Sequence, residues 1–177
     1  MIFCSGRLWI YPCSSDMSLE IKTKRLILRE ITEEDTDFIV EVRSDESAYR
    51  FFKNPHKITK EEHLNWFRNI YPKNPLCTNY IAEDTNGLKV GVFAVSRDEE
   101  DSDIVEVSYI LSRVSRGKGY ASEAVKGLME HVENELHINK FTAVVHKDNE
   151  ASVKLLRRLG FEREESDGVF VTYKRIA

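Results

Sequence analysis

Between an alternating apolar run, 104–111, and a run with helical spacing, 121–136, the chain reads Arg116-Gly117-Lys118-Gly119-Tyr120-Ala121. Glycines at alternate positions let the backbone turn sharply and approach a ligand closely. The first turn of the helix that follows leaves N–H groups without internal partners. A strand feeding such a turn is expected to hold an anion, a diphosphate above all, at the helix N-terminus. The plain alternative is a strand-to-helix turn that uses glycine for shape alone.

The flanking sequence narrows the fold. The alternation in 21–30, with Leu26 and Leu28 apolar, predicts a strand, and Thr32 with Glu33, Glu34 and Asp35 predicts a helix start running to Arg43. Thr59-Lys60-Glu61-Glu62 has the form of a capping box and opens a second helix that Pro72 stops. Strands follow at 79–83, 89–96 and 104–111, the first two joined by Asn86-Gly87, a strong hairpin signal. Beyond the glycine loop and its helix come a strand at 141–146, a helix at 150–159 closed by Gly160, and a turn at Ser166-Asp167-Gly168 before a last strand, 169–173. An antiparallel meander followed by a strand–helix–strand crossover implies an α+β fold, a mixed and mainly antiparallel sheet flanked by helices.

A chain of 177 residues that is 41% hydrophobic and 32% charged has enough apolar side chains for one domain with one core. Residues 1–17 lack either periodicity and precede a second methionine, Met17, so they are expected to be an N-terminal tail or an alternative-start extension, with the domain spanning 18–177. The net charge of −4 is spread over interspersed acids and bases, without the basic stripe that nucleic-acid binding needs. Neither a membrane-spanning run nor a secretory signal is legible, so no membrane partner is expected. Cys4, Cys13 and Cys77 are odd in number and irregularly spaced, with no zinc pattern; no metal is expected, and a reduced, cytoplasmic setting fits.

Spacing decides among the phosphate-binding signatures. A Walker loop fails because Lys118 is followed by Gly119 and the upstream glycine is missing. A dinucleotide fingerprint lacks its third glycine near Ser122 and follows a meander instead of the first strand of a parallel unit. The string Arg116-Gly117-Lys118-Gly119-Tyr120-Ala121-Ser122-Glu123-Ala124 resembles the coenzyme A loop of the GNAT N-acetyltransferases, in the branch of ribosomal-protein N-terminal acetyltransferases and sugar-nucleotide amine acetyltransferases. The block from Asn149, Ser152 and Leu159 to Gly160-Phe161 is similar to that family's second motif, in the same order along the chain. Two departures stand out. Val114 occupies a position usually Gln or Arg, and Leu156 replaces a Tyr that in many relatives protonates the leaving thiolate.

The resemblance implies the acyl-CoA N-acyltransferase fold, acetyl-CoA as co-substrate, and direct acetyl transfer to a primary amine. It implies pantetheine pairing with Ile110, Leu111 and Ser112, and diphosphate contacts from Arg116, Gly117, Lys118, Gly119, Tyr120 and Ala121. Asn149 is either a cofactor contact or a helix cap. Glu106, an acid within an apolar run on the same strand face as Ser108 and Ile110, is expected to be the general base, with a structural carboxylate or a site for the substrate cation as alternatives. Ser152 is the nearest hydroxyl for the proton donor, or else a cap or pantetheine contact. Glu61-Glu62-His63-Leu64-Asn65-Trp66-Phe67 is similar to a segment of the sugar-nucleotide enzymes, which would have His63 and Trp66 place a sugar and stack a base. The alternative is an amphipathic helix burying Leu64, Phe67 and Ile70 with His63 at the surface. Amino-sugar nucleotides, protein N-termini and other small amines such as polyamines remain open as acceptors, and a homodimer is expected by analogy. The competing reading is a catalytically idle acetyl-CoA-binding or interaction module.

Overall fold

A computed structural model describes residues 20–98 and 101–176; the expected N-terminal tail, 1–17, lies outside them. Eight strands form one sheet, in the spatial order β1-β2-β3-β4-β5-β6-β8-β7. They are β1 (Glu20–Lys22), β2 (Leu26–Glu30), β3 (Cys77–Asp84), β4 (Lys89–Arg97), β5 (Ile104–Leu111), β6 (Lys140–His146), β7 (Glu162–Ser166) and β8 (Phe170–Ile176). Every neighbouring pair is antiparallel except β5 and β6. Among the described residues no helix is long and apolar enough to cross a membrane.

Helices cover both faces of the sheet: α1 (Thr36–Arg43), α2 (Glu46–Tyr49), α3 (Lys60–Asn69), α4 (Tyr120–Leu136) and α5 (Glu150–Arg158). Strand alternation divides the core between the faces. Tyr80, Phe93, Val107 and Phe141 pack against α4 and α5, whereas Ile81, Val92 and Ile110 pack against α1 and α3. In α4 the buried Ala124, Val125, Leu128, Met129 and Val132 recur at helical spacing, which gives this helix one continuous apolar stripe.

Local signals account for most boundaries. Thr59 and Glu62 form the expected reciprocal cap, with Glu62 N–H donating to Thr59 Oγ1 (3.1 Å) and Thr59 N–H donating to Glu62 Oε2 (2.7 Å). The Asn86-Gly87 turn joins β3 to β4, with Gly87 at φ 77°. The expected single strand at 21–30 is instead a hairpin. Thr23 accepts from Leu26 N–H through Oγ1 (3.1 Å) and donates its own N–H to the Leu26 carbonyl (2.9 Å), folding β1 back on β2. The expected helix at 32–43 begins as a single tight turn, Glu33–Asp35, before α1 proper. α2 was not foreseen, and the last strand starts one residue later and runs further than expected.

Asp35 fixes α1 to the sheet. Its fully buried carboxylate receives both terminal nitrogens of Arg29 on β2 (2.8 Å each), Lys89 Nζ on β4 (2.6 Å) and Thr32 N–H (2.8 Å). Burial alone would raise its pKa, but these donors outweigh it and hold the group well below the ordinary carboxylate range.

Candidate active site

The parallel pairing of β5 with β6 spans only Ile104, Val105 and Glu106, opposite Lys140, Phe141 and Thr142. Past Glu106 the two strands diverge. From 107 to 111, β5 keeps its ladder with β4 but has none with β6, while β6 continues against β8. The sheet is therefore split from its middle outward, and backbone groups on one edge of β5 face an opening.

A surface cleft of about 800 Å3 leads into this split from the side of α4 and α5. On the opposite face lies a pocket of about 220 Å3. The two share Phe51, Phe52, Tyr109, Ile110, Asn149 and Ser152, so they meet where the strands part. A smaller hollow of about 60 Å3 beneath α3 adjoins the pocket through Arg43, Val92 and Ile110.

The glycine loop forms the outer end of the cleft. Gly117 (φ 76°) and Gly119 (φ 81°) both adopt the left-handed conformation, and Gly119 caps α4. Arg25 holds the loop from behind. It donates from Nη1 to the Lys118 carbonyl (3.1 Å), pairs through Nε with Glu123 Oε2 (2.7 Å) and lies over the Tyr120 ring at 4.8 Å. Thr23 Oγ1 donates to the same Glu123 (2.7 Å), so the β1–β2 turn braces the first turn of α4.

Ile110, Leu111, Arg116, Gly117, Gly119, Ala121 and Asn149 line the cleft; Ser112, Lys118 and Tyr120 do not. Ser112 is buried, its N–H committed to the Val90 carbonyl (3.0 Å) and its hydroxyl to Ser115 (2.8 Å). The guanidinium of Arg116 is also engaged within the protein, at Asp45 Oδ2 (2.8 Å), Ser47 Oγ (2.6 Å) and the Leu111 carbonyl. Arg113 adds a second cation on Asp45 (2.9 Å), and together with Ser47 these contacts hold that carboxylate well below its usual range. Arg50 and Arg158, which sequence reasoning missed, supply further positive charge along the cleft, while Lys154 is paired with Glu150 Oε2 (2.9 Å). Asn149 caps α5, its Oδ1 accepting from Ser152 N–H (3.3 Å), and it lines both cavities.

Glu106 lines the inner pocket, on the α1/α3 face with Ile110, as strand alternation requires. His146, at the end of β6, lines it too and packs edge-on against Phe170 (5.4 Å between centroids). Its Nδ1 accepts from Asp148 N–H (3.2 Å), which places the proton of the neutral ring on Nε2.

Tyr109 is the residue that alternation disguised. It points to the α4/α5 face, packs on the main core and reaches both cavities beside Ser152. Among the described residues its buried hydroxyl makes no hydrogen bond of ordinary geometry, and Ser152 is its nearest polar influence. Burial pushes the phenol up to about 12, with Ser152 drawing it the other way. Leu156, where many relatives carry Tyr, is fully buried in the core.

His63 is buried on α3, contrary to the amphipathic pattern that would expose it, and Ile70 is exposed instead. His63 stacks on Phe67 (6.3 Å between centroids) and faces Trp66 (5.6 Å), and Trp66 packs on Tyr71 (5.1 Å). Both His63 and Trp66 line the small hollow rather than the larger pocket. Among the described residues no cluster of His, Cys, Asp or Glu could hold a metal ion.

The acetyltransferase (GNAT) domain family model matches residues 25–162, which carry the split sheet, the glycine loop and Asn149. The chain belongs to the GNAT acetyltransferases. It is 29% identical over 150 residues to the uncharacterized N-acetyltransferase p20 of Bacillus licheniformis, covering 80% of this chain and 82% of that one. Among solved structures, RimL, the ribosomal L7/L12 α-N-protein acetyltransferase in complex with coenzyme A, superposes with a TM-score of 0.70 at 21% identity, covering 89% of this chain and 97% of that one. Spermidine N-acetyltransferase from Vibrio cholerae, in complex with CoA and spermine, gives 0.73 at 18% identity over 85% and 95%. The GNAT fold read from the sequence is thus the fold of this chain, and its enzyme class is N-acetyltransferase.

Proposed function

We propose that this enzyme transfers the acetyl group of acetyl-CoA directly to a primary amine, with the cofactor in the α4/α5 cleft and the amine in the pocket across the sheet. The observation that carries the reading is the parting of β5 and β6 immediately after Glu106, which opens a passage between the two cavities. The residues present fit the cofactor. The unladdered edge of β5 offers backbone pairing to an extended amide-bearing arm. Gly117, Gly119 and the first turn of α4 offer N–H groups to a diphosphate, and Arg50 and Arg158 offer charge to a phosphate. When bound, acetyl-CoA supplies the acetyl group as an activated thioester.

Glu106 takes a proton from the acceptor amine on the α1/α3 side, directly or through water. Tyr109 Oη, protonated at neutral pH and beside Ser152 on the opposite side, hands a proton to the departing sulfur. Ser152 shares that role in place of the Tyr that Leu156 replaces. Asn149 and the loop at 116–121 position the cofactor, with Arg116 acting as a bracket to Asp45 instead of a free phosphate ligand.

Thiol release from acetyl-CoA, followed with a panel of amino-sugar nucleotides, N-terminal peptides, polyamines and amino acids, tests the activity. Turnover on at least one amine is expected. Tight acetyl-CoA binding with turnover on none would instead favour the idle binding module.

A further inference from the structure

We infer that the acetyl acceptor carries an anionic group, a carboxylate or a phosphate, which docks on Arg43 at the junction of the inner pocket and the hollow beneath α3. The inference rests on the N-acetyltransferase reading and adds the class of amine.

Arg43 is the last residue of α1, and its guanidinium lies over the Phe52 ring at 5.1 Å. Its Nε is buried with no hydrogen-bond partner, and among the described residues no carboxylate lies within ion-pair distance. Four other arginines are answered, Arg25 by Glu123, Arg29 by Asp35 and Glu83, and Arg113 and Arg116 by Asp45, whereas Arg50 and Arg158, which also lack a carboxylate, lie in the cleft where the cofactor phosphates are expected. Arg43 is half-buried, and a guanidinium partly withdrawn from water without a counter-charge carries a desolvation cost that an anionic ligand in the pocket would offset. Burial draws its pKa down to about 10, so the group stays charged at neutral pH.

Position decides which ligand this is. Arg43 lines the inner pocket and the small hollow but not the cleft, so the cofactor phosphates at the far end of the cleft do not explain it. The pocket therefore presents Glu106 to an amine and Arg43 to an anion. Lys53 also lines the pocket, exposed and over the Phe170 ring at 5.9 Å, and adds to its positive charge. A polyamine would bring a second ammonium against Arg43; an amino acid or an amino-sugar phosphate would bring the missing charge. Val92 and Ile110 add apolar surface to the lining that Glu106 and Arg43 share.

The test uses matched acceptors: amino acids against their carboxamides, glucosamine 6-phosphate against glucosamine, and spermidine. Wild-type enzyme is expected to favour the anionic member of at least one pair by roughly ten- to hundredfold in kcat/KM, the scale of one buried charge-assisted contact. The pair that shows the preference tells carboxylate from phosphate. Arg43→Gln is expected to cut that preference at least tenfold, mainly through KM. A readout independent of turnover comes from Trp66, the sole tryptophan once Trp9 is replaced by phenylalanine. Its fluorescence should respond saturably to inorganic phosphate or glutamate, and the response should vanish in Arg43→Gln. Preference for the uncharged members or for spermidine, or discrimination that survives Arg43→Gln, would overturn the inference. A saturable Trp66 response with no amine acetylated would reject the proposed activity yet support the anion site.

Discussion

Glu106 on β5 faces Thr142 on β6 across the last rung that the two strands share. One residue further the ladder is gone, so the carboxylate sits at the apex of the split. If it serves as general base there, Glu106→Gln should lower kcat/KM by roughly 10²- to 10⁴-fold. Acetyl-CoA affinity, measured by calorimetry, should stay nearly constant, because the cleft does not include Glu106. The acidic limb of the pH–rate profile should also disappear. An unchanged profile would show that the carboxylate is structural.

Tyr109 and Ser152 adjoin on the other side of the same split. Because the Tyr109 hydroxyl makes no hydrogen bond of ordinary geometry, only a weaker interaction with Ser152, removing it should leave little unsatisfied. Tyr109→Phe should therefore leave the melting temperature unchanged while lowering kcat by at least tenfold. Ser152→Ala should lower kcat less, and the double variant should fall short of the product of the two effects, since both hydroxyls serve one proton. A loss of stability matching the loss of rate would assign Tyr109 to the core alone.

Local chemistry makes much of this fold legible in the amino-acid sequence. The Thr59–Glu62 box, the Asn86-Gly87 turn and the two loop glycines each act within a few residues, so a one-dimensional reading captures them. The missed features depend on partners distant in sequence. The turn at Thr23 is completed by Glu123, and Arg116 looks free until Asp45 is seen beside it. Tyr109 hides for a different reason: at an apolar position of an alternating strand, a catalytic phenol and a core aromatic obey the same pattern. His63 escaped because its burial depends on the hollow formed by α1 and the sheet, which the helix's own periodicity does not contain.

Gly91 governs the strand expected to meet pantetheine. A Cβ there would lie 2.5 Å from the Ile110 carbonyl oxygen and 3.1 Å from Leu111 Cα, both backbone atoms that cannot rotate away. Gly91→Ala must therefore push β5 into the cleft or away from β4. It should cost about 1–3 kcal/mol, the usual range for overpacking, and raise the Kd for CoA at least tenfold. Gly87→Ala serves as the control. Its Cβ meets nothing within 4 Å, so only the strain of its positive φ should register and CoA binding should be intact. Equal CoA affinities in the two variants would mean that β5 does not bind the cofactor.

His63 makes stability depend on pH in a defined window. Burial, together with the nearby Arg43 charge, lowers its pKa from 6.5 to about 4. Between those values the unfolded chain takes up a proton that the folded protein refuses, so stability is complete above 6.5 and declines as pH falls toward 4. Linkage puts the loss at pH 5 at about 2 kcal/mol. His63→Phe keeps an aromatic ring against Phe67 but removes the titration, so urea denaturation at pH 7.5 and pH 5 should show a smaller decline for the variant by about that amount. His131, also lowered by burial, contributes equally to both proteins and cancels in the comparison. Asp35 acts in a separate, more acidic window, because its pKa is depressed from 3.8 and its ion pairs are lost only as pH falls below that value. Parallel declines in wild type and His63→Phe would mean that the imidazole is solvated and free to protonate, and that the hollow beneath α3 admits water.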